Sequence, residues 1–201
     1  MPIYEKNNTR ILHVHIPKTG GTSITELFRK CGWGIDRWSE DGHGQQHATR
    51  QYWKDWGEFD YIFTIVRHPV FRALSDARGR VQNPDEVDHW IQNWCKEGYS
   101  KHGDHNRPQV DFFEQGDGEI FYYNTDSHRQ KLYSIASFTG SEFEGCCPDG
   151  YENIEFPHIK GEGHVNHSPK LLSLNTLEII QSTFKKDMEE FGFHWLGLKD
   201  L

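Results

Sequence analysis

Four cysteines in 201 residues, two methionines and no apolar run near the roughly 20 residues of a membrane span set the first limits. Cys31, Cys95, Cys146 and Cys147 form no Cys-x-x-Cys pair, and at this length and content a disulfide scaffold is excluded. The adjacent Cys146 and Cys147 are expected to be reduced. The opening MPIYEKNNTR lacks an apolar signal core, so the expectation is a soluble, cytoplasmic protein with no transmembrane segment. A basic excess is also missing: the net charge of −8 argues against a general nucleic-acid-binding role. There is no internal repeat and no low-complexity linker, and the length suits one domain over 1–201. Apolar residues are only 35% of the chain, but 14% is aromatic, which marks a folded protein rather than a disordered one.

The charge that is present is uneven. Residues 1–80 hold 12 Lys and Arg against 9 Asp and Glu, whereas residues 81–201 hold 10 against 21. The more basic part reads twice as strand, turn and helix. Residues 10–16 alternate apolar and polar side chains as a strand does, and 22–30 space apolar residues as a helix face does. Tyr61–Val66 is a nearly continuous apolar run, typical of a strand buried on both faces, and a helix is expected over 70–81 with Pro69 in its first turn. A short aromatic-faced helix is expected over 48–56, and a helix over 85–96 with Val87, Trp90, Ile91 and Trp94 on one face. Residues 98–118 read as a long surface loop, 119–123 as a strand and 130–138 as a helix, while 140–170 resist assignment. A last helix is expected from a capping box of Asn175 and Glu178 to Phe191, with Gly192 as its stop. Strands alternating with helices imply an α/β fold whose central sheet, flanked by helices, is mostly parallel.

The two turns carry the chemistry. In HIPKTGGTS, Lys18 precedes Gly20 and Gly21, and the hydroxyls of Thr22 and Ser23 follow. Neither G-x-x-x-x-G-K-[ST] nor G-x-G-x-x-G is present, so this is not a kinase-type P-loop or a dinucleotide fingerprint. A glycine turn that opens a helix aims backbone N–H groups at one point, which attracts an anion. Lys18 can then stabilise an oxygen that gains charge when a bond breaks. In the second turn, TIVRHPVFRALS, Arg67 leaves the buried strand and Ser75 lies eight residues on, two helical turns along. An arginine fork and a hydroxyl suit a second phosphate. Two anion sites at the carboxyl ends of strands point to a nucleotide with two separated anionic groups.

These residues resemble the sulfotransferase superfamily. HIPKTGGTS is similar to its 5′-phosphosulfate loop, and FTIVRHPVFRALS to its 3′-phosphate motif. The stretch QHATRQYWKDWGEFDYIFTIVRHP and the ending HVNHSPKLLSLN…FKKDMEEFGF resemble, more narrowly, the carbohydrate O-sulfotransferase-like family with small bacterial members. The resemblance covers residues 10–80 and 163–193 and is loose between them. It implies a P-loop-like three-layer fold and 3′-phosphoadenosine 5′-phosphosulfate (PAPS) as the sulfate donor. It implies that Lys18, Thr19, Gly20, Gly21, Thr22 and Ser23 hold the phosphosulfate, and that Arg67 and Ser75 hold the 3′-phosphate. His47 is the positional match to the base that deprotonates the acceptor hydroxyl. The resemblance also implies that a loop with Asn166, Ser168 and Lys170 closes over the nucleotide. A sugar hydroxyl is the expected acceptor, and no metal is required.

Other readings stand beside these. His43 rivals His47 as base, and the pair has i, i+4 spacing, but Gly42 and Gly44 argue against a zinc-binding helix and no third ligand is evident. His15 sits nearest the turn and is placed to brace it. Trp33, Trp38, Trp53 and Trp56 are read as packing residues or as a stacking platform for a sugar. A nucleotide-binding phosphotransferase and a non-catalytic nucleotide-binding module are the alternatives in function.

Overall fold

A hairpin that the hydropathy pattern does not show opens the chain. Ile3–Lys6 (β1) and Thr9–Val14 (β2) pair antiparallel, with Lys6 opposite Thr9 and Ile3 opposite Leu12. Between them Asn7 and Asn8 have φ of 49° and 65°. Two-residue turns that match the twist of the strands need positive φ at both positions, and asparagine enters that region more readily than most residues. The computed structural model describes residues 2–36, 47–55, 57–98, 103–113, 115–123, 125–137 and 167–200. Trp38, His43, Trp56, Cys146, Cys147 and Asn166, singled out above, lie outside the described residues.

The remaining strands are Gly34–Asp36 (β3), Tyr61–Val66 (β4) and Glu119–Tyr122 (β5), in the order β3-β1-β2-β4-β5. β2 pairs with β4 and β4 with β5 in parallel, whereas β1 pairs antiparallel with both β2 and β3. The fold is α/β, as expected, but the sheet is mixed and not mostly parallel. The Asn7-Asn8 turn makes β1 antiparallel to β2, and β3 adds a second antiparallel pair on the other side of β1. The α-helices among the described residues are Gly21–Lys30 (α1), Pro69–Ala77 (α2), Val87–Lys96 (α3), Asp126–Ala136 (α4), Leu174–Thr183 (α5) and Lys185–Glu190 (α6). None is long and apolar enough to cross a membrane. The chain divides into two compact units, Met1–Val66 with Phe112–Ile159, and Arg67–Asp111 with Lys160–Leu201.

In the first unit, α1 and α4 flank the sheet. α1 places Ile24, Leu27 and Phe28 at helical spacing against Tyr4, Ile11, Phe63 and Phe121, and α4 adds Leu132, Ile135 and Ala136. Burying a side chain of this size contributes about 1.5–3 kcal/mol. Tyr4 stacks on Phe28 with ring centroids 4.0 Å apart. Trp33 is also core rather than platform: its Nε1–H donates to Ala136 O at 2.6 Å, tying the end of α1 to the end of α4. Trp53, in the short 3-10 helix Arg50–Trp53, is likewise buried.

In the second unit, α2 turns Val70, Ala73, Leu74 and Ala77 toward Val87, Ile91 and Trp94 of α3 and Leu177 and Ile180 of α5. Within the stretch read as a long surface loop, residues 105–107 are tied to the core by polar groups. Asn106 Nδ2 donates to Trp94 O and Glu97 O, both at 2.8 Å. The buried Arg72 guanidinium donates to Arg107 O and His105 O, both at 2.8 Å. Asp76 accepts from Trp94 Nε1 at 3.0 Å and from His105 Nδ1 at 2.7 Å. The C-terminal region also differs from expectation. Ser173, not Asn175, caps α5 by accepting from Thr176 N, and the non-helical Phe184 separates α5 from α6. Gly192, with φ of 63°, follows as the expected stop. The Cys95 thiol, half-buried beside this core, is pushed up to about 12 by burial.

One core residue is a titration liability. His13 of β2 is fully buried, stacks on Phe63 at 4.6 Å and accepts from the Tyr4 hydroxyl at Nδ1 (3.1 Å). Burial lowers its pKa from 6.5 to about 3. The unfolded chain therefore takes up the proton first, and stability fully present above about pH 6.5 is lost as the pH falls toward 3. In urea melts, wild type is expected to lose about 3 kcal/mol more than His13→Phe between pH 7 and pH 4. Equal losses would remove His13 as the cause.

Candidate functional site

The turn after β2 is built by finishing the hydrogen bonding of a chain that leaves the sheet. Val14 lies beside Thr64 in the parallel β2–β4 pair, so both strands release the chain at one sheet edge. There Thr64 Oγ1 donates to Val14 O and Thr19 Oγ1 donates to Ile16 O, each at 2.8 Å. Thr19 is fully buried, so its hydroxyl anchors the turn from within.

Two left-handed residues bracket Thr19: Lys18 with φ of 66° and Gly20 with φ of 94°. Gly20 is the N-cap of α1, has no side chain to cap it, and no acidic residue lies in the first turn. The first backbone bond of the helix runs from Ile24 N to Gly20 O at 3.2 Å. The N–H groups of Gly21, Thr22 and Ser23 precede it and have no intrahelical acceptor. Thr22 is exposed, and Lys18 and Ser23 are half-buried. Lys18, Gly20, Gly21, Thr22 and Ser23 thus meet around one helix N-terminus, where the dipole favours a negative group.

Glycine is required at both positions by close neighbours. A Cβ on Gly20 would sit 2.8 Å from the Tyr123 ring, and one on Gly21 would overlap the His15 ring. His15 therefore braces the first turn of α1 from below. Its ring meets that of His47 edge-on with centroids 5.0 Å apart, and His47 Nδ1 lies 3.5 Å from His15 O. With Nδ1–H donating to that carbonyl, Nε2 of His47 is the basic nitrogen. A small cavity of about 20 Å³, partly open to solvent, adjoins Gly20 and is lined by Ile65, Tyr122, Tyr123, Arg129 and Leu132 among others.

The second turn lies in the other unit and is built differently. Arg67 is half-buried directly after β4, and Ser75 is half-buried on α2. The N-terminus of α2 is closed: Pro69 has no N–H, and Val70 N donates to His68 Nδ1 at 3.2 Å. His68 Nε2–H in turn donates to His194 O at 2.9 Å, and burial lowers its pKa, which keeps Nδ1 an acceptor. Of the first three positions of α2 only Phe71 keeps an N–H outside these contacts, so an anion at this turn depends mainly on side chains. Ser168 has a local role, capping the 3-10 helix Pro169–Leu171 by accepting from Lys170 N at 3.3 Å, and both residues are exposed. Among the described residues, no group of three His, Cys, Asp or Glu side chains is placed to hold a metal.

Sequence reading missed Tyr123 and Arg129 beside the first turn, and Gln109 and Asp187 beside the second. Asp187 left one signal. In the sequence it falls at helical spacing from Phe184, Met188 and Phe191, where a carboxylate is out of place unless it has a buried partner.

The His15–Gly21 contact makes a checkable claim. Gly21→Ala is expected to destabilise the protein by roughly 1–3 kcal/mol through overpacking. In a His15→Ala background the cost should fall by about 1 kcal/mol or more, read from urea melts of the four proteins. Comparison with known proteins returns no match: no family model, no curated protein and no solved structure is significantly similar to this chain.

Proposed function

We propose that the chain is a sulfotransferase that takes PAPS as donor and delivers its sulfuryl group to an acceptor hydroxyl, with a carbohydrate as the favoured acceptor class. The observation that carries the reading is the open N-terminus of α1, which has a lysine beside it, glycines at its cap and no acidic residue in its first turn. The residues fit the donor's phosphosulfate end in type: glycines at the cap, which the Tyr123 and His15 rings require, and hydroxyls at Thr22 and Ser23 in the first turn. The order of the two turns in the sequence, and their resemblance to the sulfotransferase motifs, support the rest. A P-loop-like three-layer arrangement and a cytoplasmic setting belong to the same proposal.

PAPS supplies a sulfuryl group on a phosphosulfate anhydride. Lys18 and the N–H groups of Gly21, Thr22 and Ser23 meet the charge that develops on the departing 5′-phosphate. Arg67 and Ser75 hold the 3′-phosphate, and so select a bisphosphorylated nucleotide over a simple one. His47 takes the acceptor proton at Nε2, the nitrogen left basic by the contact of Nδ1 with His15 O. Positioning and charge stabilisation supply the catalysis, as in phosphoryl transfer.

Thermal shift with 3′-phosphoadenosine 5′-phosphate (PAP) should exceed that with ATP; a larger shift with ATP favours a phosphotransferase and sinks the proposal. Lys18→Ala and Arg67→Ala should each weaken PAP binding about tenfold to a hundredfold, the loss of one charge-assisted contact. His47→Ala should keep the PAP shift and lose transfer of labelled sulfate to a sugar panel; unchanged turnover removes His47 from the mechanism.

A further inference from the structure

Arg67 stands where the sheet stops supplying partners. β4 ends at Val66, whose carbonyl accepts the last strand-like bond on this side, from Tyr123 N at 2.9 Å. One residue later, the amide of Gln109 takes over. Arg67 N donates to Gln109 Oε1 and Gln109 Nε2 donates to Arg67 O, both at 2.9 Å. A side chain thus makes the two bonds a neighbouring strand would make, and so fixes the peptide groups on both sides of the Arg67 Cα.

The amide has only one way round. Gln109 Nε2 also donates to Asp187 Oδ2 at 3.3 Å, so a flipped amide would turn its oxygen toward a carboxylate. Asp187 is held in its turn by Gln109 N at 2.9 Å and Val110 N at 3.0 Å. Gln109 and Asp187 are both fully buried. A buried amide and carboxylate are costly unless every bond is made, and an apolar pair would fill the space at less cost. The Arg72 guanidinium offsets part of the cost of the carboxylate, and the amide it orients is spent on the backbone of Arg67, one of the two residues read as holding the 3′-phosphate.

We propose that Gln109, oriented by Asp187, is a positioning residue that sets the direction in which Arg67 leaves the backbone, so that the guanidinium meets a nucleotide 3′-phosphate already aligned. The proposal rests on the reading of Arg67 as the 3′-phosphate ligand. Gln109 itself touches no substrate. Its effect is confined to the contribution of the 3′-phosphate and does not extend to the 5′ end of the nucleotide.

The test compares PAP with AMP, which lacks the 3′-phosphate, by calorimetric titration of the full chain. Wild type should bind PAP at least tenfold tighter than AMP, and Arg67→Ala should reduce that ratio to about one. Gln109→Ala should reduce the ratio at least fivefold and leave AMP affinity unchanged. Gln109→Glu supplies a second readout, and an escape if the alanine variant does not fold. Ionised, the new carboxylate cannot donate to Arg67 O and faces Asp187; protonated, it restores the amide's pattern. The PAP-to-AMP ratio of Gln109→Glu, normalised to wild type, should therefore be low at pH 8 and recover near pH 5.5. A purely structural role would leave the normalised ratio flat. If wild type shows no preference for PAP, or Arg67→Ala keeps it, the reading of Arg67 fails and the proposal falls with it. If the preference is lost in Arg67→Ala but kept in a folded Gln109→Ala, the positioning role alone is overturned.

Discussion

A peptide group taken out of water must find a hydrogen-bond partner, and a strand runs out of partners where its ladder ends. Much of the local chemistry of this chain answers that constraint. Thr64 and Thr19 donate their hydroxyls to Val14 O and Ile16 O where β2 gives way to the first turn. The amide of Gln109 serves both backbone groups of Arg67 just past β4. Asp187 then collects the N–H groups of Gln109 and Val110, and His68 caps Val70. Among the described α-helices, α1 is set apart because its N-terminus has neither a side-chain cap nor an acidic residue in its first turn, whereas the uncapped α3, α4 and α6 each carry an aspartate there.

The contrast between the two turns follows from single residues. Gly20 has no side-chain oxygen to fold back on α1, so no cap takes up its first N–H groups. His68 has an acceptor nitrogen at the matching place before α2, and Pro69 removes a donor altogether. The first turn thus leaves backbone N–H groups at a helix end, and the second presents side chains beside a helix end that is partly closed.

Hydropathy made part of this legible. Tyr61–Val66 was readable because six consecutive apolar or β-branched residues leave little alternative to a buried strand. The glycine turn and the helix after it were readable from spacing alone. β1 was not, because Ile3-Tyr4 is too short to show alternation, and the information lay in Asn7-Asn8, a turn signal of backbone conformation rather than hydropathy. The direction of β1, and with it the mixed character of the sheet, depended on that signal. Residues 103–111 misled for a different reason. They are polar in composition yet bound inward, since Asn106, Gln109 and the partners Arg72 and Asp76 join through hydrogen bonds that sequence does not display.

The hairpin at the start of the chain also sets an order of assembly. β1 and β2 are joined by two residues, and hairpins of this kind close within about 1–10 μs. The parallel partner of β2 arrives from much further along, with Ile11 meeting Tyr61, and closing so large a loop costs more entropy. β2 therefore has one edge covered before its second neighbour exists. The reversed strand acts as a guard during synthesis: it halves the exposed edge of the most apolar early strand while the chain that will complete the sheet is still being made.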